Sequence, residues 1–143
     1  MRNILEEMRQ RRLFFDGGTG SVLQAEGLKP GELPETWNVK RPETLIRLHR
    51  DYLEAGADII KTNTFGANSL KYNAHEEFDL KTIVSAAMEN AKRAVEQAGK
   101  PAYVALDLGP TGKLLKHMGD LDFEEAVSLY REVAQIGASD ADL

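Results

Sequence analysis

Three short stretches hold the residue types that could do chemistry. In Asp16-Gly17-Gly18-Thr19-Gly20-Ser21 a carboxylate precedes a glycine-rich turn. The carboxylate could face a polar ligand, and the N–H groups of Gly17 to Gly20 could take a negative group. The same residues equally suit an Asp that caps a turn and glycines that permit the bend. Thr62-Asn63-Thr64 offers hydroxyl and amide groups that suit a zwitterionic or polar small molecule, or the capping of a loop. Asp107 and Thr111, in Asp107-Leu108-Gly109-Pro110-Thr111-Gly112, carry the same two readings. Gly109 to Gly112 reads as a tight turn whose backbone comes close to something.

Other chemistries lack their residues. The chain has no cysteine, so it forms neither a disulfide nor a thiolate metal site of its own. His49, His75 and His117 have no second ligand at metal spacing, so no metal is assigned. The glycine spacing fails the dinucleotide fingerprint. No serine sits in a nucleophile elbow. Glu76-Glu77 and the acids from Asp120 to Glu125 read as solvated helix starts.

Each of the three stretches follows an apolar run: Leu13-Phe14-Phe15, Asp58-Ile59-Ile60-Lys61, and Ala102 to Leu106. Apolar through the sheet and polar where it emerges is the pattern of a buried parallel strand. Ligands of α/β folds bind at that carboxyl edge. Between the strands the chain predicts helices. A short one spans 3–11, and a helical piece surrounds 21–26. A long ordered loop from Gly27 to Pro42 is anchored by Trp37. Pro42 then suits the first turn of a helix with Leu45, Leu48, His49, Tyr52 and Leu53 on one face, stopped by Gly56. Residues 67–74 predict a short helix. Residues 79–98 predict a longer one, with the face Val84, Ala87, Ala91, Ala94, Val95 and Ala98 and a stop at Gly99. A last helix over 122–136 carries the stripe Phe123, Ala126, Val127, Tyr130, Val133 and Ala134, stopped by Gly137. Ala141-Asp142-Leu143 echoes Ala57-Asp58-Ile59, so a fourth strand begins there.

The order β-α-β-α-β-α-β implies parallel strands with right-handed crossovers. The expected fold is α/β: residues 1–143 as the N-terminal half of a (β/α)8 TIM barrel, with three strands and the start of a fourth. A small doubly wound sheet is the competing architecture. An apolar fraction of 42% and a charged fraction of 29% are those of a soluble globular protein. The net charge of −5 gives no support for nucleic-acid or membrane partners. The charged start lacks a signal peptide's apolar core, and no apolar run approaches the roughly 20 residues of a membrane span. A cytoplasmic location is expected.

Taken together, the motifs resemble the homocysteine S-methyltransferase family, and within it the homocysteine-binding domain of the cobalamin-dependent methionine synthases. The matching pieces are Asp16 to Ser21, Glu35-Thr36-Trp37-Asn38-Val39, His49 with Tyr52 to Asp58, Thr62 to Asn68, and Asp107 to Gly112. They occur in the family's order and cover nearly the whole chain. Ser21 stands where the family often has threonine. The resemblance implies a barrel that binds homocysteine at the carboxyl ends of its strands and transfers a methyl group to its sulfur. It implies a zinc ion on three cysteines to hold the thiol as thiolate, the nucleophile, and cobalamin as methyl carrier in the complete enzyme. Asp16 and Gly17 match positions at the amino-acid end of homocysteine. Asn63, Thr64 and the turn at Gly109 to Gly112, with Thr111 in it, match the floor and rim, and Gly18, Thr19, Gly20 and Asp107 are expected to bind the substrate with them. The zinc cysteines belong to later strands and are missing. No catalytic residue is therefore expected here, and the chain alone should be inactive and bind no cofactor. A methyl-donor domain, and self-association of the open barrel, are the other expected partners. Two readings compete: a half-barrel module that pairs and binds without chemistry, and another (β/α)8 small-molecule enzyme.

Overall fold

The computed structural model describes residues 3–73 and 76–143. His75, assigned no metal above, lies outside them, as do Met1, Arg2 and Ala74.

Helix α1 spans Ile4–Gln10, opened by the Asn3 side chain, which accepts from the Leu5 N–H. Helix α2 spans Thr19–Ala25. A 3-10 turn at Pro34–Thr36 runs into α3, Trp37–Lys40, and α4 follows over Pro42–Glu54. Strand β1 is Ile59–Lys61, α5 is Leu80–Ala98, β2 is Tyr103–Ala105, and α6 is Phe123–Gly137.

Strands β1 and β2 pair in parallel, with Ile59 opposite Tyr103, Ile60 opposite Val104 and Lys61 opposite Ala105. The expected first strand is reduced to a single parallel bridge, Phe15 to Ile59. The reason is a competing hydrogen bond. The Phe14 N–H, which a ladder would spend on a neighbouring carbonyl, donates instead to the Asp58 carboxylate at 3.0 Å. At the other side Asp142 donates to the Val104 carbonyl, and Leu106 donates to that of Leu143. The spatial order is therefore Phe15, β1, β2, Leu143. The regular sheet has two strands where three and a stub were expected.

Side-chain alternation gives the sheet two faces. Ile60 and Val104 pack against Ile46 and Leu53 of α4 and Met88, Ala91 and Ala94 of α5. Alanines at the α4–α5 contact permit close approach. Ile59, Tyr103 and Ala105 form the opposite face, with Ile4 and Leu13 against them. The helix stops fall where the glycines are: Gly56 and Gly99 have φ of 114° and 64°, open to glycine without strain.

Other expectations shift. The loop from Gly27 to Pro42 carries the helical pieces at 34–40. There Trp37 is buried against Leu23, Leu45 and Leu48, and its indole N–H donates to Glu32. Residues 67–73 form turns, not a helix. The Asn68 carboxamide accepts from the Leu70 N–H, and that competition ends helical propagation. On α6 the buried stripe is Ala126, Leu129, Val133 and Gly137, while Phe123 and Tyr130 are exposed. The helix runs through Gly137, whose missing Cβ makes room for the Leu106 side chain.

Candidate functional site

A cleft of about 460 Å³ lies at the carboxyl ends of the strands. Gly17, Gly18, Thr19 and Gly20 form one wall, and Pro34 and Glu35 form another. Lys61, Thr62, Asn63, Phe65 and Asp107 complete the lining. The strand ends thus meet as the carboxyl-edge rule requires.

Beneath the cleft lies a buried polar layer. The Asp16 side chain is fully buried and does not border the cleft. Its Oδ2 accepts from the Lys61 N–H at 3.0 Å, and its Oδ1 lies 2.9 Å from Lys61 Nζ. That second contact is an ion pair without hydrogen-bond alignment. The Lys61 side chain is one-third exposed and reaches the cleft. Burial pushes the Asp107 carboxyl up from the ordinary carboxylate range; the charge of Lys61 opposes this and that of Asp16 adds to it.

Thr62 and Thr64 form a closed ring with the Asp107 backbone. The Asp107 N–H donates to Thr62 Oγ1 at 3.1 Å, and Thr64 Oγ1 donates to the Asp107 carbonyl at 2.8 Å. The hydroxyls are 2.7 Å apart. Each hydroxyl has one proton, so Thr62 must donate to Thr64. Thr64 is wholly buried and spent inside this ring. Asn63 donates to the Pro34 carbonyl at 2.9 Å and to Asn38 Oδ1 at 3.2 Å, while Asn38 donates back to the Asn63 carbonyl. These bonds tie the 34–40 segment to the end of β1.

Glu35 is 4% exposed yet doubly held. Its Oε1 accepts from the Gly66 N–H at 2.6 Å and its Oε2 from the Tyr72 hydroxyl at 2.8 Å. Burial and the neighbouring Glu35 charge push the Tyr72 phenol well above its usual range. A Cβ at Gly66 would lie 2.6 Å from Glu35 Oε1, so glycine is what lets the carboxylate in.

Of the residues singled out from sequence, the cleft brings together Gly17, Gly18, Thr19, Gly20, Asn63 and Asp107. Asp16 and Thr64 lie behind it. Gly109 and Thr111 line a separate crevice of about 10 Å³, too small for an amino acid. Thr111 Oγ1 bonds only within its own turn, to the backbone of Lys113. The close neighbour of the Gly109 turn is the Phe65 backbone, whose carbonyl oxygen would stand 1.9 Å from an added Cβ. Sequence reasoning did not single out Lys61 or Glu35. Lys61 had a signal, a cation as the last residue of an apolar strand. Glu35 is a lone acid in a loop, with no signal beyond its place in a matching piece.

His49 is buried, and neither ring nitrogen has a hydrogen-bond partner. Burial lowers its pKa to about 4, against the pull of Asp16. It is a neutral core residue. Among the described residues no three His, Cys, Asp or Glu side chains form a metal-ligating group.

Known proteins resemble this chain in sequence and in fold. The profile described as homocysteine S-methyltransferase matches residues 13–143. The methionine synthase of Mycobacterium tuberculosis is 31% identical, over 92% of this chain and 12% of its own length. That of Mycobacterium leprae is 30% identical with the same coverage. The chain thus spans about an eighth of these relatives. Among solved structures, the metallated form of the homocysteine methyltransferase MmuM from Escherichia coli superimposes with a TM-score of 0.81 at 21% identity, covering 99% of this chain and 56% of that one. Its apo form gives 0.65 at 25% identity, covering 92% and 46%.

Proposed function

The chain belongs to the homocysteine S-methyltransferase family, and from that premise we propose that it is the N-terminal half of a (β/α)8 barrel whose cleft holds the amino-acid end of homocysteine for methyl transfer to sulfur. The observation that carries this reading is the cleft itself. It lies at the strand ends, and a cation, Lys61, and two carboxylates, Glu35 and Asp107, border it with the Asn63 amide. That set suits a ligand with both an ammonium and a carboxylate. The chain's share of the reaction is to bind and orient: Gly17 to Gly20 shape one wall, and the ring of Thr62, Thr64 and Asp107 keeps the floor rigid.

The zinc that the family resemblance implies does not fit these residues. The sequence has no cysteine, and the described residues form no metal-ligating cluster. We assign the thiolate-holding ligands, the cobalamin and the methyl-donor domain to parts of the whole protein outside these residues. The isolated chain is then inactive and cytoplasmic; among the described residues no helix is long and apolar enough to cross a membrane. Calorimetry of L-homocysteine with the whole protein tests the site. Binding that Asp107→Asn weakens supports it, and absence of binding overturns it.

A further inference from the structure

We propose that residues 113–120 form a lid that closes over the mouth of the cleft when the ligand is bound. This rests on the reading of the cleft as a homocysteine site. The segment follows β2 at the carboxyl edge, a few residues after Asp107, which borders the cleft. Between them the Gly109 turn lies against the backbone and ring of Phe65. Phe65 borders the cleft as well and is 60% exposed. The segment therefore rises from the rim.

It is built as one rigid unit. The Lys116 N–H donates to the Leu121 carbonyl at 2.8 Å, and the Leu121 N–H to that of Leu114 at 3.2 Å. The N–H groups of Met118 and Gly119 both donate to the Leu115 carbonyl, and that turn holds His117 at a φ of 75°. Lys113 pairs with Asp120, and Lys116 with Asp122. Among the described residues, the hydrogen bonds of 113–120 end within 111–122. Every residue from Gly112 to Asp120 is exposed, Leu114 by 61% and Met118 by 84%. The loop has thus lost its chain entropy without burying its large apolar side chains. A shape fixed in advance costs less to land on a surface than a flexible one.

Phe65 and the cleft mouth are that surface. A strand rises about 3.3 Å per residue, so the arm from Gly112 to Met118 reaches up to about 20 Å. Gly112 is the pivot. Its φ is 85°, and a Cβ there would meet nothing closer than Lys71 Cε at 3.9 Å. Leu121, 1% exposed and packed with Ala126, Leu129 and Leu70, anchors the far end. Closure seats Leu114, Leu115 and Met118 on Phe65 and keeps water from the reacting sulfur.

The test is limited tryptic digestion of the whole protein with and without L-homocysteine, with calorimetry alongside. Trypsin reads the open lid at Lys113 and Lys116. Proteolysis follows the open population. A bound state that is open about 10% of the time or less slows cleavage there by at least about tenfold. Cleavage after Arg12, exposed at the opposite edge of the sheet, should keep its rate. Leu114→Ser combined with Met118→Ser should abolish the protection and weaken homocysteine binding by about tenfold. Its thermal midpoint should match wild type, because both side chains are already exposed. Homocysteine binding without protection overturns the lid, as does protection that the double variant keeps. A segment already resistant in the ligand-free whole protein also overturns it, because another part of that protein then covers Leu114 and Met118. If calorimetry finds no homocysteine binding, the reading of the cleft itself fails, and the lid with it.

Discussion

A single missing methyl group decides how close two strand ends come. At Gly109 an alanine Cβ would stand 1.9 Å from the Phe65 carbonyl oxygen and 2.7 Å from its carbon. Both atoms are backbone, so no rotamer relieves the clash. Gly109→Ala should lower stability by about 1–3 kcal/mol, the usual cost of overpacking, measured by urea unfolding. Asp16→Ala should weaken homocysteine binding to the whole protein by about 1.5–3 kcal/mol; unchanged affinity in a folded variant would reject a role for it. His49 gives a pH prediction. Its folded pKa, about 4, lies below the ordinary histidine value of 6.5, so the unfolded chain binds the proton more tightly. The stability is complete above about pH 6.5 and is lost as pH falls toward about 4, by up to about 1.4 kcal/mol per pH unit. His49→Leu should flatten that part of the stability profile. A profile identical to wild type would mean that His49 does not titrate on unfolding.

At the scale of elements, the helices carry the sheet rather than the reverse. Strands of three residues offer few ladder bonds, while α4 and α5 bury long faces against them. Helix α5 is therefore the element whose ends matter. Asp79 caps it, accepting from the Thr82 N–H at 2.8 Å, and Gly99 closes it in the left-handed region. Asp79→Ala should cost about 0.5–2 kcal/mol and shift the thermal midpoint downward without altering the shape of the cleft, since Asp79 lies outside its lining. A midpoint equal to that of wild type would show that packing on α4 alone holds the helix start.

The whole molecule presents large apolar side chains to solvent around the sheet: Phe14, Phe15 and Phe65 are 62%, 54% and 60% exposed. The Phe15 side of the sheet and the Leu143 side both end in backbone groups able to pair further. Exposed aromatic surface beside open edges favours association. The isolated chain should therefore sediment above monomer mass at micromolar concentration, or do so with a complementary half. A monomer with a sharp, concentration-independent unfolding transition would show that α1 and Leu13, packed on the face of Ile59, Tyr103 and Ala105, suffice to close the core.

Much of this was legible in the chain as written. The strand cores at Ile59-Ile60 and Tyr103-Val104, the stops at Gly56 and Gly99 and the face of α5 follow from local rules of periodicity and backbone freedom, which need no tertiary contact. The meeting of the strand ends followed from the alternation of strand and helix, a chain-level rule. What stayed hidden depended on a partner distant in sequence. Phe14 lost its ladder bond to Asp58, 44 residues away. Thr64 turned inward because its hydroxyl had a carbonyl 43 residues on. Phe123 and Tyr130 looked like core, yet exposure depends on what packs against a helix and not on its own periodicity. Asp16 and Lys61 read as a carboxylate at one strand end and a cation at another. Only the fold, by setting the two strand ends side by side, made the first the buried support of the second.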